Sequence, residues 1–309
     1  MFNKFFITNA INRSSENGVD RRRFFRAASA AGMGTAAVTL LPAAAMADTT
    51  KGPSDAAVLN FALNLEYLEA EFYLKAVTGA GLPGNLVGGR GRPGAVSGGR
   101  QVKFTTKLVR EYAREIANDE RAHVAFLREA LGSAAVSRPR IDIDAAFTAA
   151  ALAAGLVKPG ERFDAYANED NFLLAAYVFE DVGVTAYKGA APLVNNKVFL
   201  EAAAGLLAVE AYHAANIRTT LLARGLTVPS VKISDARDSL DGRTDLDQGV
   251  VDGSGRANVV PTDGNGLAFS RSAGQVLNVV YLTPKKATAG GFFPQGVNGE
   301  IRESADSTR

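Results

Sequence analysis

This chain of 309 residues contains two histidines, and each stands three residues after a glutamate: Glu120 and His123 in NDERAHVA, Glu210 and His213 in VEAYHAAN. On an α-helix a separation of three puts both side chains on one face, about a turn apart. Glutamate is roughly one residue in twenty here, so both pairs arise by chance on the order of once in 400. The surroundings tighten the constraint. AAAGLLAVEAYHAAN, around Glu210, is almost wholly apolar. A carboxylate there is buried on folding, and a buried charge without a partner costs several kcal/mol or takes up a proton.

Apolar residues recur at helical spacing in four long stretches. The first follows Pro53, Ser54 and Asp55 and runs to Val77, the second runs from about Phe104 to Leu131, the third from Glu169 to Lys188, the fourth from Asn195 to Arg224. Gly79 and Gly81, Gly132, Gly189 with Pro192, and Gly225 supply the stops. The long crossover between the two helix pairs holds a short helix, Asp144 to Ala154. Gly81 to Arg100 reads as a flexible glycine-rich loop, since neither a preceding strand nor a following GK[ST] supports a phosphate cradle. Beyond Pro229 the chain turns to Asp, Gly, Ser and Asn, with apolar islands at Gly266–Leu282 and Gly290–Ile301. We read 229–309 as a mostly irregular extension packed on the helices, anchored by Phe269, Val276, Leu277, Val280 and Tyr281, with one helix at Ser272–Leu282. The GGFFP stretch reads as core or interface.

The helices repeat in pairs. Glu66 precedes Tyr73 by seven residues and Glu180 precedes Tyr187 by seven, two turns along one face. Glu111 lies nine before Glu120 and Glu201 nine before Glu210, while Arg128 and Arg218 each follow by eight. The order is a two-fold repeat of a helical hairpin, one helix with a single glutamate and one with Glu-x-x-His. Glu66, Glu120, Glu180 and Glu210 with two neutral imidazoles, His123 and His213, balance two divalent cations. The chain has no cysteine, so thiolate metal sites, iron–sulfur clusters, disulfides and cysteine nucleophiles are excluded. Any metal is held by oxygen and imidazole nitrogen, a donor set that suits iron and manganese alike. Glu69 shares a face with Glu66 and reads as an acceptor for an imidazole N–H, an alternative ligand in another redox state, or a solvated carboxylate. Asp119 and Asp181 adjoin the candidate ligands and are expected to point elsewhere. Arg128 and Arg218 read as surface or structural pairs.

Charge is uneven. Residues 1–47 carry six Lys/Arg against Glu16 and Asp20, so the remainder of a chain of net +2 is acidic by two. A basic balance confined to the first segment gives nucleic-acid binding no support. That segment holds Arg21-Arg22, an Ala-rich stretch from Ala27 to Leu41 and the small-x-small Ala45-Met46-Ala47. It resembles a twin-arginine export signal, recognised by the Tat translocase, with Asp20 where Ser or Thr is usual. At 15 residues the stretch is short of the roughly 20 that span a bilayer, so no stable membrane span is expected after cleavage. The expected location is periplasmic or extracellular.

The Glu66/Tyr73, Glu120/His123, Glu180/Tyr187 and Glu210/His213 frame, over roughly 54–225, resembles that of the ferritin-like superfamily. FSRSAGQVLNVVY and GGFFPQGVNG resemble in particular the exported ferritin-like-domain family that includes plant desiccation-related proteins. The resemblance implies a mainly α fold, a four-helix bundle over 48–228 with the long extension behind it. It implies two divalent metal ions, Fe or Mn, on Glu66, Glu120, His123, Glu180, Glu210 and His213. It implies an oxidoreductase acting on O2 or H2O2, as a ferroxidase or in the manner of a manganese catalase, or a non-catalytic metal-stabilised protein of stress and desiccation. Tyr73 and Tyr187 then read as partners of site carboxylates, as redox-active tyrosines, or as buried tyrosines of the core. A homo-oligomer is compatible with this frame.

Overall fold

Ser54 accepts a hydrogen bond from the Ala57 amide at 3.2 Å and opens the first long helix, α1 (Asp55–Thr78), and Gly79, at φ 80°, closes it. The computed structural model describes residues 52–308, so the export segment lies outside the described residues. After α1 come a two-residue strand β1 (Val96–Ser97), helix α2 (Lys107–Leu131), strand β2 (Ile141–Asp142), and helices α3 (Ala145–Ala153), α4 (Glu169–Ala190), α5 (Lys197–Ala223), α6 (Thr227–Asp241) and α7 (Ala273–Tyr281). α1 packs along α2 and α4 along α5, and α1 meets α4 between the two hairpins. This is the expected four-helix bundle.

α1 is buried on nearly every side, because the bundle covers one face and the loops and the extension cover the other. Its polar residues are therefore paired. Asn60 binds the Ala134 carbonyl and the Val136 amide, and Asn64 exchanges hydrogen bonds with the backbone of Asn298, far along in the extension. α2, in contrast, buries one stripe and leaves a charged outer face. Phe72, Phe147, Phe172, Phe179 and Phe292 fill the space between α1, α3, α4 and the extension, with ring centroids 4.9–5.6 Å apart. Phe292 of GGFFP is thus core, and Val276, Leu277, Val280 and Tyr281 anchor the extension as expected, with Phe269 half-buried.

Three local expectations need correction. The glycine-rich loop is pinned and not free: β1 pairs with β2 in parallel, and Arg90 and Gly94 donate to the carbonyls of Ala135 and Arg138. Gly189 does not stop the third helix, which runs to Ala190. A side chain there would collide with the Arg271 carbonyl, so the glycine serves a close approach by the extension. The chain beyond Pro229 is not irregular at first: α6 runs through it, with Pro229 in the first turn where its missing N–H costs nothing. Its buried face is Ser230, Ile233, Ser234, Arg237 and Asp241, too polar to register as an apolar stripe.

That polar face belongs to a buried ion network. Arg271 donates to Asp241 at 2.5 Å, Asp247 at 2.9 Å and Thr185 at 3.0 Å. Arg237 donates to Asp247 at 2.6 Å and Asp181 at 3.0 Å, and Arg218 of α5 to Asp181 of α4 at 2.7 Å. Arg218 also binds the carbonyls of Gln248, Gly249, Asn258 and Val259. Three arginines and three aspartates leave no net charge inside. Removing one member strands its partners, which costs about 3–5 kcal/mol for a buried pair. Arg271→Leu is therefore expected to lower the unfolding free energy by about that much in urea titration, and Arg140→Leu, at an exposed arginine, to leave it within about 0.5 kcal/mol.

Candidate metal centre

Each hairpin contributes three side chains to one space. Glu66 enters from α1, Glu120 and His123 from α2, Glu180 from α4, and Glu210 and His213 from α5, and all six are buried. His123 Nδ1 lies 3.2 Å from Glu66 Oε2 and 3.6 Å from both Glu120 Oε2 and Glu210 Oε1. His213 Nδ1 lies 3.1 Å from Glu120 Oε1 and 3.8 Å from Glu180 Oε2. The two rings stand 6.3 Å apart. Donor atoms of Glu66, Glu120, His123 and Glu210 lie within 4.8 Å of one another, as do those of Glu180, Glu210 and His213, so Glu210 belongs to both groups.

Hydrogen bonding, as between His123 Nδ1 and Glu66 Oε2, accounts for only part of this close approach. Both oxygens of Glu120, one each of Glu69, Glu180 and Glu210, and His213 Nδ1 are buried with no hydrogen-bond partner, although His213 Nδ1 is within 3.1 Å of Glu120. Buried polar atoms of this kind require an explanation. A pair of divalent cations bound by oxygen and imidazole supplies one, and the donor set fits it.

The tyrosines cross over. Tyr73 of α1 donates to Glu180 of α4, and Tyr187 of α4 donates to Glu66 of α1. Each hairpin thereby holds the other's single glutamate. Burial, then the adjacent carboxylate, pushes both phenols well above their usual range, so they stand as O–H donors. Glu69 is buried at the edge of the cluster, which settles against a solvated carboxylate. It faces Gly183 of α4: a Cβ at 183 would strike Glu210 Oε2 and sit 3.5 Å from Glu69 Oε1.

Two residues set aside by sequence reasoning have roles. Asp119, half-exposed, lies 3.1 Å from His213 Nε2 and so engages the nitrogen that faces away from the cluster. An imidazole ligand needs such a partner, which was the available signal. Only packing shows that α5 lies on the Asp119 flank of α2, whereas Asp181 flanks Arg218 as part of the ion network. Arg128 is structural, donating to Tyr67 Oη and the Gly88 carbonyl at 2.5 Å each.

Without cations the cluster holds protons. Burial is the largest influence on Glu66 and Glu180 and pushes them up to about 7 and about 8. Burial and then the neighbouring carboxylates raise Glu69 and Glu210 well above the usual range. Burial disfavours charged imidazoles, but Glu66 and Glu120 outweigh it and carry His123 up to about 11, and Asp119 and Glu120 carry His213 up to about 10. Glu120, which burial would raise, is held below its ordinary range by the two rings.

The fold and site define a ferritin-like protein: the chain belongs to the ferritin-like domain family, which matches residues 54–223. Among its relatives, the desiccation-related protein PCC13-62 of Craterostigma plantagineum is 33% identical over 271 residues, 80% of this chain and 84% of that one. The ferritin-like catalase Nec2 of Nesocodon mauritianus is 30% identical over 289 residues, 84% of this chain and 90% of that one. No solved structure matches. Among the described residues α5 alone is long and apolar enough to cross a membrane, and its buried Glu210, His213 and Arg218 are those of a bundle helix.

The raised carboxyls give the metal-free protein a defined pH response. For Glu66 and Glu180 the stabilising contribution is complete below the ordinary 4.5 and is lost as pH rises through about 7 and about 8. The histidines' contribution is complete below the ordinary 6.5 and declines from there as pH rises toward about 10 and about 11, in the same direction. Metal-free protein is expected to melt several degrees lower at about pH 8.5 than at about pH 6, on a scale of ~2–4 °C per kcal/mol. Calorimetry of chelator-treated protein at the two pH values checks this, and divalent manganese is expected to reverse the trend, since it replaces the protons.

Proposed function

We propose that this chain is an exported di-metal carboxylate protein, with two iron or manganese ions, that acts as an oxidoreductase on peroxide or dioxygen. The observation that carries it is the convergence of four buried carboxylates and two imidazoles, with oxygens that no protein donor satisfies. Glu66, His123, Glu180 and His213 would serve one ion each, and Glu120 and Glu210 lie near both rings. Bound there, such a pair supplies two-electron redox chemistry and a site for a two-oxygen substrate.

The chain's own residues favour hydrogen peroxide dismutation, in which one peroxide is oxidised to dioxygen and another reduced to two waters. That balance needs no outside reductant, and the chain has no cysteine to carry electrons from one. The two hydrogens released on one side are those consumed on the other, and Glu69, buried with a raised pKa and an unpartnered oxygen, can hold one in transit. Tyr73 and Tyr187 fix Glu180 and Glu66, and the apolar shell limits access of bulk water. Similarity to a protein named ferritin-like catalase supports this reading. Export through the twin-arginine pathway to the periplasm or beyond is supported by Arg21-Arg22 and Ala45-Met46-Ala47.

A second reading is favoured by the similarity to a desiccation-related protein: the metals stabilise a stress protein without turnover. One set of measurements separates them. Elemental analysis of exported protein is expected to give two iron or manganese ions per chain, and oxygen release from peroxide is expected to fall at least ~100-fold in Glu120→Ala, which removes a ligand. Metal-dependent melting without oxygen release from the wild type would establish the structural role instead.

A further inference from the structure

The internal repeat allows each half of the centre to serve as a control for the other. A shift of 90 carries Glu111, Glu120, His123 and Arg128 of α2 onto Glu201, Glu210, His213 and Arg218 of α5, and a shift of 114 carries Glu66 and Tyr73 onto Glu180 and Tyr187. Two positions beside the ligands break the correspondence. Asp119 matches Val209, and Glu69 matches Gly183.

The first departure acts on the His213 half. Asp119 stands at His213 Nε2, 3.1 Å away. Accepting from that nitrogen, it fixes the tautomer that leaves the Nδ1 lone pair facing Glu120 and Glu180, orients the ring and makes it a stronger donor. Val209, in the matching place, offers His123 no acceptor. The glycine at 183 leaves room on α4, the helix that carries Glu180, and Glu210 Oε2 takes up that room, with Glu69 Oε1 3.5 Å from where a Cβ would lie.

Resting on the di-metal reading, we infer that the two metal positions are inequivalent, the one at His213 and Glu180 binding first and more tightly than the one at His123 and Glu66. The opposing feature is the number of converging donors, four around His123 against three around His213. Glu120 Oε1, 3.1 Å from His213 Nδ1, makes the numbers equal, and a supporting carboxylate behind an imidazole changes metal affinity by about 10–100-fold. The His213 position is the resident one and the His123 position the one that exchanges.

Mn(II) titration of the metal-free full chain, followed by calorimetry, reads this directly. Two identical positions would also fill in succession, because the first cation neutralises shared carboxylates, so the identity of the tight event is what counts. His123→Ala is expected to keep the tight event and His213→Ala to lose it. Asp119→Ala is expected to weaken the tight event about 10-fold or more and leave two ions bound per chain. Val209→Asp is expected to strengthen the weaker event and draw the two together. Loss of the tight event in His123→Ala and its survival in His213→Ala would overturn the inference, as would an Asp119→Ala titration identical to wild type. Two ions bound with that result leave the di-metal reading standing, whereas wild type that binds no Mn(II), Fe(II) or Co(II) removes both.

Discussion

Six ionisable side chains occupy one water-poor space between four helices, and their mutual repulsion and desolvation must be answered before the bundle can close. Hydrogen bonds do not answer all of it, because both oxygens of Glu120 and single atoms of Glu180, Glu210 and His213 have none. Protons or cations must. This explains why acids along α1, α4 and α5 are tolerated in otherwise apolar surroundings, and why the two tyrosines are spent on the outer glutamates of the opposite hairpin. The crossed phenols tie α1 to α4 at the level of the cluster, so the cluster also sets the separation of the two hairpins.

A second polar interior lies beside the first. Arg218, Arg237 and Arg271 with Asp181, Asp241 and Asp247 form a neutral network that joins α4 and α5 to α6 and the extension. Buried ion pairs of this kind specify geometry more than they add stability. Asp181 follows Glu180 directly, so the network holds α4 and α5 together within a turn of the ligands. The extension is thus part of the support of the centre, and the similarity to both relatives reaches beyond the 54–223 segment that the family matches.

A duplicated hairpin would give two equal halves, and the outer frame of glutamates, histidines and tyrosines keeps that equality. The residues behind the frame do not. Asp119 supports His213 without a counterpart at Val209, and Glu69 of α1 has only Gly183 in the matching place of α4.

The four long helices, their repeat in pairs and the six candidate ligands were legible from residue spacing, because a period of 3.6 fixes which side chains share a face however the helices pack. The ends of α1 and α7 were legible for a similar reason, since Ser54 and Ser272 cap through local bonds. What spacing could not disclose was everything decided by a partner distant in sequence. α6 was hidden because its inward face pairs Arg237 and Asp241 with residues that only folding brings near. Gly189 read as a stop until Arg271 was seen to cross it. Asp119 read as pointing away because a residue one place from a ligand does leave its face, yet the neighbouring helix came round to meet it. The sequence by itself determined what each helix offers, and the tertiary structure decided which offers are met, because hydrogen bonds and ion pairs depend on positions that local periodicity does not encode.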